Sequence, residues 1–378
     1  MIKKNILFSL LTLFIFIFLL YLFSFLYFKK FVEFQNLELV KYNDQLIFIE
    51  KYTKRLHHLR HYLDKHIDID KPETILFSQS EFNNNNNENE VLFLGDSWFE
   101  QLVSYNLSSR GIKNYFKKKR TNYFNAGITS YSPSVMLIQY QILKQDFNLK
   151  PKIVVVYIDQ TDFGDEICRY KNNKIFQNNK LYAIKDFFIT PRIINFSKIN
   201  NKYDNQFLKE LDFFNYYLRE RFFLALNKFK KIFNKNKNLY GCDINKILSY
   251  LIEPTKKDLN YFNNSISELL NFIKTDNFVE KILIVTFPHR NHINNVTNLK
   301  NLEDFNIDVA NIVNNYLSEN QSDIIYHLNF SDLIKKEKVV LDDNDFIPND
   351  FGSHLIEDAH HSIFVSEIIK KIDSFIND

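Results

Sequence analysis

The chain opens on an unbroken apolar stretch and then alternates between short fully apolar runs and longer amphipathic ones. Asn5 to Phe28 carries no charged side chain and is dominated by Leu, Ile and Phe. At about 1.5 Å per residue it is long enough for a hydrocarbon core of roughly 30 Å. It is longer than a signal-peptide apolar region, and no small-x-small cleavage site follows. The pattern therefore predicts an uncleaved signal anchor over residues 1–30. Residues 31–87 read as a helical stalk and polar linker. Tyr52, Leu56, Leu59 and Leu63 recur at helical spacing, Pro72 marks a break, and Asn83 to Asn87 is a solvated polar tract.

From about residue 88 the pattern changes. Val91 to Leu94, Asn122 to Asn125, Ile153 to Ile158, Lys281 to Thr286 and Ile324 to Leu328 are short apolar runs that predict buried strands. Leu102 to Phe116, Ser134 to Phe147, Leu302 to Leu317 and Ile363 to Ile372 predict helices between and after them. Strands alternating with helices imply an α/β domain over 88–378, with a parallel sheet covered on both faces. Residues 165–280 interrupt the alternation. They read as a helical insertion, with Phe207 to Phe233 forming one or two aromatic-rich amphipathic helices.

Composition changes this picture little. The 39 Phe and 21 Tyr, with abundant Asn, Lys and Ile, fit an AT-rich coding sequence. A net charge of +3 with scattered basic residues argues against a nucleic-acid partner. Lysines flank the apolar stretch on both sides, so the positive-inside rule nearly ties. The expected arrangement is single-pass, with the body extracytoplasmic (periplasmic in a Gram-negative cell). Cys168 and Cys242 could pair in such a compartment, and the sequence leaves that open.

The candidate chemistry lies at the strand ends, where open α/β sheets bind ligands. A serine becomes a nucleophile only when a base takes its proton, and the resulting oxyanion needs preorganised donors. Ser97, in the turn Gly95-Asp96-Ser97, is the candidate nucleophile. Asp358-Ala359-His360-His361 is the candidate carboxylate and base. The backbone N–H groups of Ser97 and Gly127 are the candidate oxyanion donors. Asp96 is expected to hold the turn, Trp98 to pack, and His289 to sit in a surface loop. His57, His58, His61 and His66 read as a solvated face.

Val91 to Ser97, Asn125-Ala126-Gly127, Val154 to Phe163 and Asp358 to His361 resemble, in order, the four sequence blocks of SGNH (GDSL-like) hydrolases. The resemblance implies a flavodoxin-like three-layer α/β/α sandwich and ester hydrolysis or acyl transfer without a metal or other cofactor. It also points toward membrane-associated relatives that act on glycan O-acetyl groups. The substrate would then be a glycan or a small acyl ester, with a membrane acyl donor as a further partner. A catalytically weak glycan-binding module and a lipid esterase are the alternatives. Two departures stand out. Thr161 occupies the position of an oxyanion Asn. The histidine spacing selects His361 by Asp-x-x-His or His360 by Asp-x-His. Apolar Ile368 and Ile369, eight and nine residues after His360, favour His360.

Overall fold

The structure is a computed structural model. It describes residues 2–31, 47–48, 51–52, 54–56, 76–77, 79–81, 90–184, 202–233, 242, 244–293, 307–348, 350 and 352–377. Within these, the strands are β1 (Gln79–Glu81), β2 (Glu90–Gly95), β3 (Asn122–Gly127), β4 (Ile153–Tyr157), β5 (Lys174–Gln177), β6 (Lys180–Ile184), β7 (Lys281–Thr286) and β8 (Ile325–Asn329). The main sheet runs β1-β3-β2-β4-β7-β8. Its five longer strands are mutually parallel, and short β1 is antiparallel to β3 at the edge. Setting β1 aside, the order is the doubly wound 2-1-3-4-5 arrangement.

Side chains alternate between two cores, as the pleat requires. Leu92, Leu94, Val154, Val156, Ile282 and Ile284 face helices Pro133–Phe147, Lys256–Lys274 and Val309–Glu319. Val91, Phe93, Val155, Tyr157, Leu283 and Val285 face helices Ser97–Ser104, Asn106–Lys119 and Ser366–Asn377. Both faces are covered, which is why these strands read as continuous apolar runs. The expected α/β/α layering is therefore present.

Several elements differ from expectation. Leu102 to Phe116 is split between two helices at Tyr105, whose extended backbone ends the first and caps the second. Within 165–280 lie the β5–β6 hairpin and helices Gln206–Phe233, Ile244–Ile252 and Lys256–Lys274. The last is no peripheral insertion, because Phe262, Ile266, Leu269, Leu270 and Ile273 are all buried against the sheet's covering layer. Tyr52 and Leu56 also join that core, with the Tyr52 hydroxyl donating to Asp146 at 2.8 Å. Within the predicted stalk and linker, residues 32–46, 49–50, 53 and 57–75, which include His57, His58, His61 and His66, and the Asn83–Asn87 tract lie outside the described residues.

Residues Ile2–Phe31 form a 30-residue helix, with side chains described from Leu11 to Tyr27. Among the described residues, no helix is long and apolar enough to cross a membrane.

Cys168 and Cys242 form a disulfide across a sequence separation of 74. It ties the π-helical segment Glu166–Tyr170, which continues the helix after β4, to the segment before Ile244–Ile252. Loop-closure entropy for that separation corresponds to about 4 kcal/mol. Thermal melts with and without reductant are expected to show a clearly lower midpoint under reduction. Coincident midpoints would mean that the pairing does not support the fold.

Candidate active site

β2 delivers Ser97 to the sheet's carboxyl edge beside the β2/β4 switch point. Asp96 caps the following helix by accepting the Trp98 N–H at 2.9 Å. Ser97 opens that helix, so its own N–H has no acceptor within it. Gly127 lets the helix approach closely: a Cβ there would lie 2.6 Å from the Phe99 carbonyl carbon and 2.7 Å from the Glu100 nitrogen. The Asn125 carboxamide locks the same contact, donating to the Phe99 carbonyl at 2.7 Å.

The histidine that meets Ser97 is His354. Its Nε2 lies 2.7 Å from Ser97 Oγ, and its Nδ1 lies 2.7 Å from Asp350 Oδ2. Asp350 also accepts the His354 backbone N–H at 2.8 Å, so one carboxylate fixes both backbone and ring. The His354 ring folds back over Gly352, where a Cβ would come within 2.4 Å of Cε1. Loop 346–355 is pinned by the Ile347 N–H to the His354 carbonyl at 2.9 Å and by the Phe346–Leu355 bridge. Arg290 braces it further: its backbone N–H reaches Ser353 Oγ and its guanidinium reaches the Ile347 carbonyl, both at 3.3 Å. Trp98 donates to the Gly352 carbonyl at 3.3 Å. The His354 and Asp350 side chains remain 13% and 26% exposed, so solvent reaches the pair. Burial alone would raise the Asp350 carboxyl. The hydrogen bonds and charge of His354, with the Arg290 charge, outweigh it and hold the carboxyl below its usual range.

The expected base does not face Ser97. The helical segment begins at Glu357, so Asp358, His360 and His361 lie inside it rather than in the preceding loop. His360 is fully buried. Its Nε2 lies 3.2 Å from the Trp98 carbonyl and its Nδ1 lies 2.8 Å from Ser108 Oγ. A carbonyl only accepts, so Nε2 carries the proton and the Ser108 hydroxyl donates to Nδ1. Burial, above all, drives its pKa down to about 3, so the ring is neutral. His361 packs against Gly111 and leaves Nδ1 buried without a hydrogen bond. Asp358 is exposed at the start of the helical segment. His289 is likewise not on the surface: it is 2% exposed and accepts the Asn291 N–H at 3.3 Å.

Two of the three expected oxyanion donors are committed elsewhere. The Gly127 N–H donates to Asn125 Oδ1 at 3.0 Å. The Thr161 hydroxyl donates to Asp159 Oδ1 at 2.6 Å, as part of a helix cap built on Asp159. The Ser97 N–H is the donor the geometry leaves at the site.

Behind the serine, Asp96, Asp159 and Asp162 are buried with carboxylate oxygens within 4.8 Å of one another. Asp162 Oδ1 has no hydrogen bond. Desolvation, and then the mutual charges of the trio, push Asp96 and Asp162 well above the carboxylate range; desolvation also raises Asp159. Groups raised in the fold stabilise it at low pH, and that contribution is lost as pH rises through the folded pKa. Asp162→Asn keeps the oxygen that accepts the Asp159 N–H at 3.1 Å and replaces the other with a donor. Its denaturation midpoint is expected to exceed that of the wild type at pH 8, with the gain shrinking toward pH 4. A lower midpoint at pH 8 would contradict this electrostatic picture.

Sequence spacing missed Asp350 and His354 because four positions separate them, outside both spacings considered. The available signal was the turn-rich run from Pro348 to Ser353 immediately before the helical segment.

No protein-family model matches the chain. The curated relative Protein Ycf2 of Physcomitrium patens is 23% identical over 393 residues, covering 96% of this chain and 16% of its own length. The chain thus spans under a fifth of that relative. Among solved structures, a GDSL-like lipase from Bacteroides thetaiotaomicron VPI-5482 aligns at 12% identity and TM-score 0.36, covering 82% of this chain and 99% of its own. An acetyl xylan esterase from the rumen bacterium Butyrivibrio proteoclasticus aligns at 9% identity and TM-score 0.35, covering 78% and 66%. At these scores the likenesses carry no weight beside the site's own geometry.

Proposed function

We propose that the chain is a serine-dependent esterase or acyl transferase of the SGNH kind, with Ser97 as nucleophile, His354 as base and Asp350 as the orienting carboxylate. The observation that carries this is the linear Ser97–His354–Asp350 relay, 2.7 Å at each step. The Ser97 Oγ attacks an ester carbonyl and its proton passes to His354 Nε2. The imidazolium is held by Asp350. His354 then returns the proton to the leaving alkoxide, leaving an acyl-serine and a free alcohol. Water or an acceptor hydroxyl completes hydrolysis or transfer by the reverse relay.

The favoured substrate is an acetyl ester on an extracytoplasmic glycan. The first sequence block, which carries Ser97, supports the acyl chemistry; the fourth does not, because the base that meets Ser97 is His354. The uncharged run Asn5–Phe28 supports a membrane anchor, and the Cys168–Cys242 disulfide fits an oxidising compartment. The commitment of Gly127 and Thr161 to other partners supports a second reading, a weakly catalytic glycan-binding module. A fluorophosphonate probe on the full chain separates the two. Labelling of wild type but not of Ser97→Ala or His354→Ala supports the enzyme; no labelling of wild type supports the module. Turnover of acetyl against long-chain esters then tests glycan deacetylation against lipid hydrolysis.

A further inference from the structure

The protons around Ser97 do not cover all of its contacts. His354 Nδ1 faces the Asp350 carboxylate at 2.7 Å and carries a proton there. Its Nε2 is therefore a bare acceptor, and the Ser97 hydroxyl donates to it at 2.7 Å. A hydroxyl has a single hydrogen. Yet Asp96 Oδ2 also lies 3.4 Å from Ser97 Oγ, on a side chain buried beneath the serine. With the serine hydrogen given to His354, an ionised Asp96 would set lone pairs against lone pairs. That repulsion would grow as Oγ gives up its proton. A protonated Asp96 turns the same contact into a hydrogen bond from the carboxyl to Oγ. Asp96 Oδ1 accepts the Trp98 N–H at 2.9 Å, so the proton belongs on Oδ2.

The surroundings favour a proton there. Asp159 and Asp162, at the start of helix Gln160–Asp165, bring carboxylate oxygens within 4.8 Å of Asp96 and of each other. Three buried like charges at that spacing do not all ionise. Asp159 is the member suited to the charge. Its Oδ1 accepts the Thr161 and Asp162 N–H groups at 2.7 and 3.2 Å and the Thr161 hydroxyl at 2.6 Å. Asp162 is not, because its Oδ1 is buried without a hydrogen bond. β4 contributes Tyr157, whose hydroxyl is also buried without a hydrogen bond and is kept neutral, first by desolvation and then by these three aspartates. Loop 346–355 contributes His354, whose charge in the reaction is balanced by Asp350. Asp165 lies beyond the trio and is bound by Arg169 at 2.9 Å. Desolvation, and then the Asp159 charge, hold Asp96 well above the carboxylate range.

We propose that Asp96 is a catalytic residue in its neutral form, its Oδ2–H donating to Ser97 Oγ as the alkoxide develops. This rests on the reading of Ser97 as nucleophile. The Ser97 proton moves to His354 Nε2 while Oγ bonds to the ester carbon. The carbonyl oxygen takes up the charge and meets the Ser97 N–H. The Asp96 proton stays on Oδ2 throughout. The resting contact of 3.4 Å is long, and it shortens as Oγ gains charge, as catalytic hydrogen bonds do. Asp96 thus supplies at the attacking oxygen a donor that Gly127 and Thr161 do not supply at the oxyanion. Ionisation of Asp96 removes that donor, which gives the nucleophile an alkaline limit.

The test compares the full chain with its Asp96→Asn variant. The amide keeps an oxygen for the Trp98 N–H and offers Nδ2–H to Ser97, but it is a weaker donor and cannot ionise. Infrared spectra report carboxyl protonation independently of activity, and the rate of fluorophosphonate labelling reports the nucleophile. At pH 8 Asp165, raised to about 6, is ionised and does not contribute to the protonated-carboxyl absorption. Expected at that pH is such an absorption in the wild type, shifted in D2O and weaker in Asp96→Asn. Labelling of the variant should be about tenfold slower, the worth of one hydrogen bond. As pH is raised, wild-type labelling should fall in step with loss of the absorption, with no such fall in the variant. Equal absorption in the two proteins would place a charge on Asp96 and overturn the proposal. Equal labelling rates at pH 8, or an alkaline fall shared by both, would overturn it too. Should Asp96→Asn fail to fold, the wild type alone decides, and labelling that falls while the absorption persists overturns the role. No labelling of the wild type at any pH would sink the nucleophile reading and this role with it, while the infrared spectra would still show where the proton sits.

Discussion

Replacing His354 with alanine is expected to lower kcat by roughly four to six orders of magnitude, matching Ser97→Ala, because nucleophile and base fail as a unit. Asp350→Asn should cost about four orders, since the amide leaves the ring geometry but no longer stabilises the imidazolium or its tautomer. The pair is oriented almost wholly by loop 346–355: one carboxylate oxygen takes both the His354 ring and its backbone N–H. Steady-state assay on an activated acetyl ester decides the matter. If His354→Ala retains activity within a few-fold of wild type while His360→Ala does not, the relay described here is wrong. Activity should also require an ionised Asp350. Its carboxyl is held below the usual range, so the acid loss of activity should not follow protonation of a carboxyl with an ordinary pKa.

His360→Ala is expected to act on stability rather than on chemistry, costing roughly 2–4 kcal/mol. The ring is fully buried among Trp98, Tyr105 and Phe364, and its loss strands the Ser108 hydroxyl and the Trp98 carbonyl. A pH signature accompanies it. The folded pKa of about 3 lies below the ordinary histidine value. The unfolded chain therefore binds the extra proton between those limits. The stabilisation is complete above about pH 6.5 and is lost as pH falls toward 3, at up to about 1.4 kcal/mol per pH unit. His327, pulled down to about 4 by burial, adds to this, whereas Asp165, raised to about 6, opposes it. Comparing wild type with His360→Gln by denaturant titration at pH 7 and pH 5 isolates the His360 share. The variant should lose less stability across that interval. Equal losses would show that His360 titrates normally in the fold.

The strands were legible in the chain because each is buried on both faces and reads as a continuous apolar run. Val91 to Leu94, Ile153 to Ile158 and Lys281 to Thr286 needed no partner to declare themselves. The turn at Gly95-Asp96-Ser97 was legible for a related reason: a buried strand must end before a polar residue can reach the surface. What the chain alone left open was decided by contacts across long separations. His354 and His360 are both histidines near the last helix, and local pattern does not say which faces Ser97. The helix starts at Glu357, so His360 turns inward beneath Trp98 and is desolvated there. His354 stays in the loop, where Asp350, Arg290 and Trp98 hold it, and the latter two lie on elements far off in sequence. Gly127 looked like a donor because of its place at a strand end and Thr161 because the resemblance puts it where an oxyanion Asn would stand, yet their hydrogen-bonding groups are taken by near neighbours, Asn125 and Asp159. A backbone or side-chain donor serves whichever acceptor the folded chain brings within about 3 Å. Apolar periodicity therefore determined the layers of this protein, and tertiary packing alone decided which polar groups were left over for chemistry.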